Sequence, residues 1–67
     1  MAVRYRIVVR GHLSERLGHA FASALTVEAG AGETALTGEL RDERQLRGVL
    51  DGLDDVGIEV VSVNVVA

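Results

Sequence analysis

Gly11-His12-Leu13-Ser14 is the stretch of this chain whose residue types could hold a ligand. It follows the alternating segment VRYRIVVR and opens into SERLGHAFA. The first amides of a helix have no internal acceptors, so those of Gly11, His12 and Leu13 could face a small anion. Ser14 is placed to cap the helix that follows. A tight turn that uses Gly11 for its dihedral freedom accounts for the same residues without a ligand.

Other side chains offer less. His12 and His19 are the only histidines, and Glu15 lies between them. Two imidazoles need at least a third ligand, and the chain has no cysteine, so no metal site is expected. Asp51, Asp54 and Asp55 crowd the end of a second helix, where negative charge opposes the dipole. Without EF-hand spacing they read as a solvated face. Arg4, Arg6 and Arg10 share one side of the first segment, and cross-strand pairs with Glu28, Glu33 and Glu39 explain them. Ser14, Ser23 and Ser62 are scattered, and no Ser-His-acid set emerges. No catalytic residue and no cofactor is assigned, and an enzyme is the weakest reading.

The elements that would position these residues follow from periodicity. Val3, Tyr5, Ile7 and Val9 alternate with Arg4, Arg6, Val8 and Arg10, a half-buried strand. From Ser14 the period changes: Leu13, Leu17, Phe21 and Leu25 recur every four residues, with Ala20 and Ala24 filling in, one stripe of a helix. Leu25, Val27 and Ala29 make a short second strand, and Gly30-Ala31-Gly32 a hairpin loop. Thr34, Leu36, Gly38 and Leu40 face inward on a third strand, with Glu33, Ala35, Thr37 and Glu39 outward. In DERQLRGVLDGLDDVG, Asp42 and Gln45 have capping-box spacing. Leu46, Val49, Leu50, Leu53 and Val56 form its buried stripe, and Gly57 terminates it. Ile58 to Val66 is the last strand.

Strand, helix, strand, strand, helix, strand is the ferredoxin-like order. It predicts an α+β fold, with a four-stranded antiparallel sheet in strand order 4-1-3-2 and both helices on one face. The 67 residues read as a single domain, 1–67, near the lower size limit for independent folding. Such domains usually gain stability from disulfides, metals, oligomerisation or very efficient packing. No apolar run reaches the length of a membrane span and no signal-peptide pattern opens the chain, so a soluble, cytoplasmic protein is expected. All seven basic residues are Arg, the net charge is −3, and Tyr5 and Phe21 are the only aromatics beside no Trp. That composition suggests a high-GC bacterial source and argues against nucleic-acid binding.

The last strand, IEVVSVNVV, is apolar on both of its alternating sides. The expectation is that Val61, Val63 and Val65 lie under the helices. Ile58, Val60, Ser62, Asn64 and Val66 then face outward on a sheet edge with no Lys, Pro or inward charge to guard it. An unguarded apolar edge points to a partner, most simply a second copy.

The second half, ETALTGELRDERQLRGVLDGLDDVGIEVVSVNV, resembles ACT-type regulatory domains: a strand, an acidic helix start, a leucine-striped helix, then Gly-apolar-x-x-Val-x-Val. The resemblance implies side-by-side dimers and a small-ligand site near Gly11. In place of that family's ligand loop stands His12-Leu13-Ser14. RIVVRGHLSERLG faintly resembles the opening of acylphosphatases, with Gly11 in the loop and Arg16 near the phosphate-binding arginine. The only Asn, Asn64, does not stand where that family's catalytic Asn lies. Heavy-metal-associated domains match in size but require a CxxC that is absent, and the whole chain is similar to short proteins of high-GC bacteria.

The sequence therefore predicts a small non-enzymatic module that self-associates through its last strand or open sheet face. The interface residues are Ile58, Val60, Ser62, Asn64 and Val66. A sensor of a small anionic metabolite at Gly11, His12, Leu13 and Ser14 is the alternative, and an acylphosphatase-like hydrolase comes third. An unidentified protein partner would serve the same surface.

Overall fold

The computed structural model describes residues 2–22 and 25–66. Its elements are β1 (Val3–Arg10), α1 (Glu15–Ala22), β2 (Thr26–Ala29), β3 (Glu33–Leu40), α2 (Glu43–Asp55) and β4 (Val60–Val65). The four strands form one antiparallel sheet ordered β2-β3-β1-β4. This is the ferredoxin-like α+β arrangement that the periodicity implies.

Alternation in β1 puts Ile7 and Val9 wholly out of water, beside Leu36 and Leu40 of β3. Leu25 and Leu53 complete the core, and Phe21, Leu46, Val49 and Leu50 pack against it from the helices. The two helices therefore share the side of the sheet that carries Ile7 and Leu36. They touch each other where a β-carbon on Gly52 would lie 3.6 Å from the Phe21 ring.

Each helix ends for a local reason. The Ser14 Oγ accepts from the Leu17 amide at 3.2 Å. Asp42 caps α2 by accepting from the Gln45 amide at 2.9 Å, and the Gln45 Oε1 accepts from the Arg41 amide at 2.8 Å. The expected box thus closes one residue upstream of the capping position. At the other end Gly57 sits at φ 77°. Its amide donates to Asp54 O at 3.0 Å, and the Ile58 amide donates to Leu53 O at 2.9 Å. These two bonds make a Schellman motif, which brings Ile58 back onto Leu53.

Several expectations need correction. Val56, assigned to the buried stripe, is 49% exposed, because the helix is already unwinding at its C-cap. Ala20 is exposed, and Ala24 and Ser23 lie outside the described residues. Leu25 is buried ahead of β2, its amide bonded to Phe21 O at 3.0 Å.

The largest correction concerns the last strand. Ile58 and Val60, expected outside, pack against the core. The register explains why: Val60 is opposite Val9, Ser62 opposite Val8, and Val61 has no partner. Val61 is the extra residue of a β-bulge. Past it the alternation resumes one residue out of step, so Val63 (opposite Ile7) and Val65 (opposite Tyr5) also lie on the helix side. Their side is as expected, but the helices do not reach them. The polar residues Ser62 and Asn64 fall on the open side, opposite Val8 and Arg6.

Gly48 lies in α2, and beyond its chain neighbours and its own helix backbone no atom of the described residues comes within 4 Å of an added β-carbon. Gly48→Ala is expected to raise unfolding stability by about 0.5–1 kcal/mol, since alanine removes the glycine's excess backbone freedom. Urea unfolding at constant m-value checks it. A loss of stability would mean that something covers this helix face.

Candidate functional site

The turn after β1 is built around the Gly11 backbone. Gly11 takes φ 81°, its amide donates to Gly32 O at 2.7 Å, and its carbonyl accepts from the buried Thr34 hydroxyl at 2.7 Å. The Gly11 amide is thereby used within the fold, joining the turn to the hairpin loop. Ser14 holds the helix start, and Leu13 packs against the core. Of the four residues proposed to cradle an anion, His12 alone is an exposed side chain not already engaged in capping the helix.

The other candidates do not converge. His19, Glu15 and Arg16 are exposed on α1, and among the described residues no three His, Asp or Glu side chains stand together as a metal site would require. Asp51, Asp54 and Asp55 are exposed at the end of α2. On the open side of the sheet, Arg4 stands opposite Glu39 and Arg10 opposite Glu33. The ion pair that closes among the described residues is instead Arg10 Nε to Glu59 at 3.4 Å, both about two-thirds exposed. Such a pair contributes a few tenths of a kcal/mol at most.

The open side is polar. Arg4, Arg6, Arg10, Thr37, Glu39, Ser62 and Asn64 cover it, around Val8, which is buried between Ala35 and Ser62. A shallow concavity of about 220 Å³ lies there, where Arg6 sits with Glu28 and Glu33. Charges of both signs at its rim leave no strong field for an anion. An antiparallel sheet side of this polar composition can be solvated without a cover.

The exposed apolar surface lies elsewhere, along the free edge. Among the described residues β4 pairs with β1 alone, and Val61, Val63 and Val65 are 44%, 38% and 65% exposed. Tyr5, opposite Val65, lines a second concavity with Leu46, Leu50, Glu43 and Arg47. That hollow extends the valine stripe toward α2. The bulge blunts the edge near Val61, as bulges do, but the stretch beyond it is regular.

The expected outward set of Ile58, Val60, Ser62, Asn64 and Val66 is not the exposed apolar set of this strand, which is Val61, Val63 and Val65, while Ile58 and Val60 pack against the core. One signal was available. A glycine that ends a helix in this way draws the second residue after the cap inward, so Gly57 implied that Ile58 belongs to the core.

The family described as a domain of unknown function, DUF8691, matches residues 4–64. No curated protein and no solved structure matches the chain.

Proposed function

The chain belongs to the DUF8691 family, and we propose that it is a small interaction module that self-associates through the free edge of β4. One observation carries this reading: an unpaired edge strand with three exposed valines and no charged residue among them. A stripe of that kind is unfavourable in water and offers backbone donors and acceptors to another strand. The polar open side of the sheet gives no comparable reason for association, so the edge is the contact.

Size sets the strength. Six residues of strand span about 20 Å, so the edge and its flanking helix layer bury on the order of 300 Å² per copy. Stable interfaces bury about 800 Å² per partner. The association is therefore weak and depends on concentration.

Light scattering tests it. The wild-type mass is expected to rise from one chain toward two between micromolar and millimolar concentration. Val65→Lys, which places an ammonium on the most exposed edge valine, is expected to hold the chain monomeric throughout with an unchanged circular dichroism spectrum. A wild type that stays monomeric to millimolar concentration removes the proposal.

A further inference from the structure

We infer that two copies pair antiparallel through β4, about a two-fold axis at Asn64, into one eight-stranded sheet. This rests on the self-association proposed above and adds the register.

The free hydrogen-bonding groups identify themselves. Val66 donates its amide to Arg4 O at 2.8 Å, so Val66 points its backbone groups toward β1. In an antiparallel ladder these directions alternate residue by residue. Ser62 and Asn64 therefore also bond toward β1, and Val63 and Val65 present their amides and carbonyls to the free edge. The regular ladder begins at Ser62, directly after the bulge, and extends to the bonded Val66. Its midpoint is Asn64.

A two-fold axis there sets Val63 opposite Val65 of the second copy, and Val65 opposite Val63. Each such pair exchanges two main-chain hydrogen bonds, so every outward donor and acceptor of these two residues is satisfied. Their side chains meet on the helix side, valine on valine, and cover Val63 and Val65, the part of the stripe beyond the bulge. On the open side the two Asn64 side chains meet across the axis, where amide can bond to amide. Ser62 stands opposite Val66. An axis at Val63 would instead set Val65 against Val61, the bulged residue, where the ladder is interrupted. An odd register shift would set valines against polar residues. The Asn64 axis is the one that uses the regular segment in full.

The chain has no cysteine, so single cysteines report the register directly. Residues facing each other as Asn64 would are a non-hydrogen-bonded pair with Cα atoms about 4.5 Å apart, within disulfide reach. Under mild oxidation, Asn64→Cys is expected to form covalent dimers at least about tenfold faster than Ala20→Cys, an exposed reference on α1, because pairing raises the local thiol concentration. Light scattering on the wild type separates association from register. A dimeric mass with Val63→Cys linking faster than Asn64→Cys overturns the register and leaves edge pairing in place. A dimeric mass with neither exceeding the reference overturns edge pairing as the mode of association. A monomeric mass at every concentration removes both the register and the function it rests on.

Discussion

Leu53→Ala is expected to lower the free energy of unfolding by about 3 kcal/mol, the usual cost of emptying a leucine site in a close-packed core. Leu53 is fully buried and is the one wholly buried side chain of α2 among the described residues. Its side chain fixes the helix on the sheet, while its carbonyl receives the Ile58 amide that turns the chain into β4. The main-chain bond survives the substitution and the packing does not. At about 0.05–0.15 kcal/mol per residue, a domain of this length holds roughly 3–10 kcal/mol in all. The variant therefore loses roughly 30% or more of its stability, read as a lower urea midpoint. A change below about 1 kcal/mol would mean that α2 does not cover the sheet as described.

Val60→Lys is expected to act on folding and not on assembly, costing about 2–4 kcal/mol for the burial of an ammonium against apolar neighbours. Val60 stands opposite Val9 and packs against the core, whereas Val65, five residues on, is 65% exposed. Lysine at Val65 is expected to change monomer stability by no more than about 0.5 kcal/mol. Urea unfolding at a concentration where the chain is monomeric compares the two. Equal losses would mean that the bulge is misplaced and that both valines share one environment.

That contrast marks where the sequence was readable. The period-two pattern of VRYRIVVR, the four-residue spacing of Leu13, Leu17 and Phe21, and the Asp42 and Gly57 signals lead directly to the elements and their order. They work because each depends on local backbone chemistry: side-chain alternation, capping, and a glycine's positive φ. The last strand was misread at Ile58 and Val60 because alternation was carried unbroken through it. A bulge is a property of two strands, since it exists only where Val60 and Ser62 meet consecutive residues of β1. A single segment read alone does not contain it. The turn after β1 shows a similar limit. Gly11 looked free because Gly32 and Thr34, which engage its amide and carbonyl, lie more than twenty residues away in sequence.

With Val61 set aside, the remaining residues spell Ile58-Glu59-Val60-Ser62-Val63-Asn64-Val65, an unbroken apolar-polar alternation. The strand is thus an ordinary half-buried strand carrying a one-residue insertion that the fold has looped out. Sequences laid side by side by hydropathy would need a single-position gap at Val61 to keep their core residues in the same columns. Without that gap, the helix-side residues on one side of the insertion would be matched to open-side positions in their counterparts.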